Sequence, residues 1–206
     1  MKLEIRWLGR VQYEKAYTLQ EELVAERHAH PDRDGVLLLL EHEPVYTIGR
    51  TQDQSSLRDI SRLPHPVVQI NRGGQATYHG PGQLVGYPIL NLRERGQDLH
   101  RYLRELEEML IAVLAGFCIE ARRRMGLTGV WVEDRKIASI GVGVRRWISM
   151  HGFALNVCGD MTPFSQITPC GIAGVEMTAI EREAARPVGV EEVAERVGAV
   201  FLERFS

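Results

Sequence analysis

Three apolar runs follow one another almost without interruption: Gly129-Val130-Trp131-Val132, Lys136-Ile137-Ala138-Ser139-Ile140-Gly141-Val142-Gly143-Val144, and Trp147-Ile148-Ser149-Met150-His151-Gly152-Phe153-Ala154-Leu155-Asn156-Val157. Only a few polar residues separate them, so they predict consecutive strands with no helix between. Upstream, Asp98 is placed to cap a helix reaching Phe117, with Leu99, Leu103, Leu106, Leu110 and Val113 on one face. Downstream, Val193, Val197, Val200 and Phe201 repeat the helical spacing over 190–205. Toward the N-terminus, Leu3, Ile5 and Trp7 alternate like a half-buried strand. Ala16, Leu19, Leu23 and Val24 mark a helix from Val11 to His28, closed by Pro31 and Asp32. Val36 to Leu40, Val45 to Ile48 and Val67 to Ile70 predict further strands, the first short and apolar enough to be buried on both faces. Few helices among many strands predict an α/β fold with a mixed sheet flanked by helices, not a strict βαβ alternation.

The 206 residues, 44% hydrophobic and 25% charged, fit a soluble chain with an ordinary core, and we expect one domain over residues 1–206. A net charge of −2 lacks the basic excess of a dedicated nucleic-acid binder, so nucleic acid is not an expected partner. The opening residues contain no apolar signal core, and the longest apolar run, 36–40, is far too short to span a bilayer. No membrane association is expected. Three cysteines, Cys118, Cys158 and Cys170, form no C-x-x-C pair, which argues against a disulfide framework or zinc ribbon and for a reducing cytoplasm. The histidines form no metal-binding pattern, so no metal site is expected.

Cys170, in Thr168-Pro169-Cys170-Gly171-Ile172, sits where proline and glycine favour an irregular loop able to present a thiol, although a lone cysteine is more often buried and inert than nucleophilic. Cys118 and Cys158 read as packing. Lysine is rare here: the chain has three, Lys2, Lys15 and Lys136, and otherwise uses arginine. Lys136 opens an apolar strand. A proton carrier requires lysine, since arginine holds its proton, although one lysine at a strand start can also arise by chance. The stretch Arg72-Gly73-Gly74-Gln75-Ala76-Thr77-Tyr78-His79-Gly80-Pro81-Gly82-Gln83 has the spacing of neither a Walker A loop nor a dinucleotide fingerprint. Its glycines would admit a ligand close to the backbone, or form a tight hairpin.

Together these motifs resemble a family. Arg72-Gly73-Gly74, Thr77, His79-Gly80-Pro81-Gly82-Gln83-Leu84 and Tyr87-Pro88-Ile89 look like the signature of the lipoyl(octanoyl) transferases. Thr128-Gly129-Val130-Trp131-Val132, Lys136 to Gly141, Met150 to Asn156 and Pro169-Cys170-Gly171-Ile172 agree with it in the same order. Met177-Thr178-Ala179-Ile180 departs from the family's usual Val-Thr-Ser-Leu type.

The resemblance implies a fold related to the biotin and lipoate protein ligases, with a mixed central sheet and a smaller second sheet. It implies Cys170 as acyl-thioester nucleophile and Lys136 as the group that activates it and moves protons. Substrate would lie against Arg72, Gly73, Gly74, Gln75, Ala76, Thr77, Tyr78 and His79, against Ser139, Ile140 and Gly141, and against Gly152, Phe153 and Ala154. The implied donor is octanoyl-acyl carrier protein. The implied acceptors are apo lipoyl domains of 2-oxoacid dehydrogenase complexes and the glycine cleavage H protein. No cofactor is implied beyond the phosphopantetheine that arrives on the carrier. Backbone N–H groups near Gly171 or in the Arg72 to His79 loop are candidate oxyanion donors. Arg122-Arg123-Arg124 or Arg145-Arg146 would meet acidic partners. The kinship also supplies a rival, an ATP-dependent lipoate or octanoate ligase, which would not require Cys170.

Overall fold

Leu37, Leu38, Leu39 and Leu40 are all essentially inaccessible, as a strand covered on both faces requires. They belong to strand β2 (Gly35–His42) in a computed structural model that describes residues 2–206. The chain begins with β1 (Leu3–Val11) and α1 (Tyr13–Ala29), then after β2 come β3 (Val45–Ile48), β4 (Val67–Gln69), β5 (Thr77–His79) and β6 (Gln83–Ile89). Helix α2 (Leu99–Ala115) precedes β7 (Arg122–Arg124), β8 (Leu127–Val132), β9 (Arg135–Arg145) and β10 (Ile148–Asn156). β11 (Glu176–Met177), α3 (Ile180–Glu183) and α4 (Val190–Phe205) close it.

Among the described residues the main sheet runs β1-β2-β6-β10-β9-β8-β7, with β11 against β9, and β4-β3-β5 forms a smaller sheet. β1 is parallel to β2 and β11 to β9; the remaining main-sheet neighbours are antiparallel. The expected mixed sheet and small second sheet are therefore present. Helices α2 and α4 bury Leu106, Leu110, Val113, Val193, Val197 and Phe201 against one face, with Leu37, Leu39 and Leu155. α1 covers the other face, where Val36, Leu38, Leu40, Val85 and Met150 lie. The small sheet packs Tyr46, Ile48 and Tyr78 on Phe164 and Ile167.

Asp98 caps α2 as expected, accepting the Arg101 N–H at 3.0 Å. Leu99 and Leu103 leave the core stripe predicted for that helix and line a cavity instead. The arginine run 122–124 is a strand, although its residues carry no strand pattern. It lies at the sheet edge, where charge discourages pairing with another chain. Cys118 is exposed beyond the end of α2 with φ 59, so packing does not account for it. Cys158 is half-buried against the core, and burial pushes its thiol upward. No helix among the described residues is long and apolar enough to cross a membrane.

Candidate active site

Lys136 is 1% exposed although it carries an amine. Its Nζ donates to the Thr128 carbonyl at 3.1 Å and lies 5.2 Å from the Trp131 ring centroid, a cation–π contact. Gly129 makes that position possible. With φ +130, a Cβ there would stand 2.6 Å from the Ala138 carbonyl oxygen and 2.7 Å from Lys136 Cε. Beneath it, buried Glu107 accepts the Gly129 N–H at 3.0 Å and pairs with Arg104 (2.6 Å) and Arg123 (3.0 Å).

Cys170 comes from a 3-10 turn, Pro169–Gly171, and is held at φ 55, ψ 19. Its N–H donates to the Ala76 carbonyl (2.8 Å), and Thr168 N–H donates to the Ser56 carbonyl (2.7 Å). The chain then returns to place β11 beside β9, pairing Met177 with Lys136, and Thr178 N–H donates to the Lys136 carbonyl at 3.0 Å. Topology thus brings together two residues separated by more than thirty positions. Cys170 Sγ lies 3.4 Å from Ser139 Oγ.

Both side chains line a cavity of about 380 Å³. Arg72, Gly73, Gly74, Gln75, Thr77 and His79 line it from one side, and Ser139, Ile140, Gly141, Gly152, Phe153 and Ala154 from the other. β9 and β10 pair Gly141 with Gly152 and Ser139 with Ala154, so small residues open the sheet face there. Two predicted contact residues lie elsewhere. Ala76 is fully buried as the backbone anchor of Cys170, and Tyr78 turns into the small-sheet cluster with Tyr46 and Phe164. The candidate oxyanion donors at Gly171, Gly73 and Ala76 are also engaged, donating to the Thr168 carbonyl, the Val142 carbonyl and Ser56 Oγ.

The cavity contains charge without a counter-charge. Arg72 donates to the carbonyls of Gly73 (2.8 Å), Thr47 (3.1 Å) and Gln75 (3.0 Å) and to Thr47 Oγ1 (3.0 Å), all neutral acceptors. Burial pulls its guanidinium below the ordinary value, while Cys170, Tyr13 and Tyr87 pull the other way. One histidine outside the motifs, His42, packs against His79 with ring centroids 5.7 Å apart. His42 Nδ1 donates to the Val11 carbonyl (2.9 Å) and accepts at Nε2 from the Tyr87 hydroxyl (2.7 Å). Burial drives His42 down to about 4 and His79 to about 3, the latter aided by nearby His42 and Arg72. His151 lines the cavity stacked on Tyr17; burial and the Arg72 charge hold it at about 4. The one available signal was the lone polar residue in otherwise apolar runs, such as Thr47 in Val45-Tyr46-Thr47-Ile48.

Of the arginines expected to dock partners, two are held in ion pairs. Arg123 pairs with Glu107 and Glu108, and Arg124 with Asp134.

Residues 12–202 match the family model for the lipoyl protein ligase A/B catalytic domain, and the chain belongs to that family. Within it, the likeness in sequence is to octanoyltransferases: that of Geotalea uraniireducens (strain Rf4) is 54% identical over 194 residues, 94% of this chain and 89% of the relative. Among solved structures, a lipoate-protein ligase A bound with ATP superposes with TM-score 0.82 at 16% identity, covering 99% of this chain and 85% of that one. The biotin protein ligase of Aquifex aeolicus gives 0.53 at 14%, covering 99% and 69%. At those identities the two structures speak to the fold alone.

Proposed function

We propose that this chain transfers an octanoyl group from octanoyl-acyl carrier protein to a lysine ε-amine of apo lipoyl domains, through a thioester on Cys170. The acceptors on this reading are the lipoyl domains of 2-oxoacid dehydrogenase complexes and the glycine cleavage H protein. The observation that carries it is Cys170 and Lys136 on one cavity, in a chain more than half identical to an octanoyltransferase. A ligase that adenylates a free acid has no use for a thiol presented in this way.

The steps follow from the groups present. Lys136 takes the Cys170 proton, and the thiolate attacks the donor's carbonyl carbon, with Arg72 and the lysine cation in the same cavity to offset negative charge. The carbon–sulfur bond to the carrier breaks, and the departing sulfur recovers the proton from Lys136. An acceptor amine then attacks the acyl-enzyme and passes a proton to Lys136. Cys170 leaves as thiolate and takes that proton back from Lys136, completing ping-pong transfer to a stable amide. The donor arrives activated as a thioester, so the reaction calls for neither ATP nor metal. His42 is unsuited to carry the proton, because both ring nitrogens are engaged within a buried site.

Intact-protein mass spectrometry tests this after mixing with octanoyl carrier protein and chasing with apo lipoyl domain. Wild type should gain one octanoyl increment and lose it to the domain, while Cys170→Ala should gain none and Lys136→Ala should acylate far more slowly. Octanoylation of the domain by Cys170→Ala at the wild-type rate would sink the covalent route.

A further inference from the structure

We infer that Thr47, His79, Gln83 and Asn156 form a one-directional hydrogen-bond relay that positions the Arg72 guanidinium at the cavity, with Thr47 the positioning residue in contact with it. The inference rests on the proposed acyl transfer only for the consequence of losing the relay. The direction of the relay stands on geometry.

Main-chain carbonyls can only accept, and two of them set every bond. Asn156 Nδ2 donates to the Thr178 carbonyl at 2.9 Å, which turns its Oδ1 toward Gln83. Gln83 Nε2 donates to that Oδ1 (2.9 Å) and to the Tyr78 carbonyl (3.2 Å). Gln83 Oε1 is therefore what faces His79 Nδ1 at 2.7 Å, so Nδ1 holds the imidazole hydrogen. The bare Nε2, 3.2 Å from Thr47 Oγ1, accepts the Thr47 hydroxyl hydrogen. The Thr47 lone pairs are then free to accept from Arg72 Nη2 at 3.0 Å.

All four side chains are buried, from 0% exposed at Thr47 to 7% at His79. A flipped amide anywhere in the chain would set donor against donor or acceptor against acceptor among buried side chains. The groups facing His79 are Arg72 from its loop, His42 from β2, Tyr13 from α1 and His151 from β10, besides its relay partners. None is a carboxylate, so nothing there favours an imidazolium, and the nearby Arg72 charge opposes one. His79 thus serves as a fixed neutral link between the two sheets and not as an acid or base. The far end, Thr178, is the residue whose N–H donates to the Lys136 carbonyl. Arg72 and Lys136, the two cations of the cavity, are consequently referenced to one network.

Long-range proton–nitrogen spectra of the intact protein's imidazoles test the direction without any variant. His79 should show a protonated Nδ1 and a bare Nε2 throughout pH 7 to 5. An Nε2–H tautomer, or an imidazolium at pH 7, overturns the relay. Thr47→Val keeps the shape and removes the hydroxyl. Single-turnover acylation of Cys170 should slow by about tenfold in it, and Thr47→Ser should recover to within about threefold of wild type. Nε2, freed by Thr47→Val, should shift from its wild-type position in the same spectra. If Thr47→Val acylates at the wild-type rate, or Thr47→Ser fails to rescue, positioning through Thr47 is wrong. Should wild type itself not acylate, the proposed function fails, while the tautomer result still decides the relay.

Discussion

The strand side of the cavity and the loop side hold reactive groups by different means. On the strand side, Lys136 sits within the ladder of β9, seated between β8 and β11, with its aliphatic stem against Gly129. On the loop side, Cys170 depends on a handful of hydrogen bonds to Ala76 and Ser56, neither of them in a regular ladder with it. A buried amine needs rigid surroundings because any displacement strands it away from its acceptor. A nucleophile that must reach a carbonyl carbon, carry it and release it gains from a support that can yield. The difference predicts that damage on the strand side costs folding and chemistry together, whereas damage on the loop side mainly costs chemistry.

The largest effect is expected at Gly129. Alanine there must adopt φ +130, which L residues rarely do, and must displace either the Ala138 carbonyl or Lys136. We expect Gly129→Ala to lower stability by about 2–4 kcal/mol and acylation by about a hundredfold. Thermal melts and single-turnover acylation read the two losses; normal acylation in a destabilised protein would show that Lys136 does not depend on this seat. Next comes Glu107→Ala, which removes a fully buried carboxylate from beneath the same seat and frees the Gly129 N–H. The cost should be about 3 kcal/mol, a fall in Tm of roughly 6–12 °C for a chain of this length.

The seam between the two sides should yield to acid. His42, His79 and His151 are held neutral, with values pushed from the ordinary 6.5 to about 4, about 3 and about 4. The unfolded chain therefore takes up protons first as pH falls. Stability is fully present above about 6.5 and is lost as pH drops toward the folded values, by on the order of 1 kcal/mol per pH unit for each histidine. Melting curves between pH 7 and 5 check this, and a flat Tm across that range would contradict three buried neutral imidazoles.

How much of this the sequence disclosed also divides along the two sides. The strand side was legible because period and glycine spacing are local: the β8 to β10 runs, the Asp98 cap and the α4 stripe all lie where their residues predict. Bulges and edges were not legible, since Arg122-Arg123-Arg124 is a strand only because β8 and the carboxylates of Glu107, Glu108 and Asp134 are next to it. The loop side was legible as a motif and not as a geometry. The run from Arg72 to His79 reaches the cavity, but only the fold decides that Thr77 and His79 face it while Tyr78 faces Phe164 and Ala76 serves through its backbone. Thr47 and His42 were missed because their partners lie 25 and 45 residues away in sequence, beyond any local pattern.

Ser56→Ala puts the loop side to the same test as Gly129. The Ser56 hydroxyl accepts the Ala76 N–H (3.1 Å) and donates to Gln75 Oε1 (2.9 Å), so alanine leaves a buried N–H unpaired on the residue whose carbonyl holds Cys170. The stability loss should be about 1–2 kcal/mol, with acylation slowed by several times more than a strand-side change of equal stability cost. Equal ratios of the two losses on both sides would remove the distinction between them.

The smallest effect is expected where charge alone first pointed to a function. Arg124 pairs with Asp134 at 2.5 Å and lies 4.9 Å from the Trp131 ring centroid, and Arg123 is shared by Glu107 and Glu108. A paired guanidinium presents little net field to a partner, and salt screens what remains beyond about 8 Å. Arg124→Glu should therefore change the KM for carrier protein by less than about twofold at physiological salt. A large rise in KM that high salt abolishes would instead make this edge strand a docking surface, and would mean that Asp134 releases Arg124 when the partner arrives.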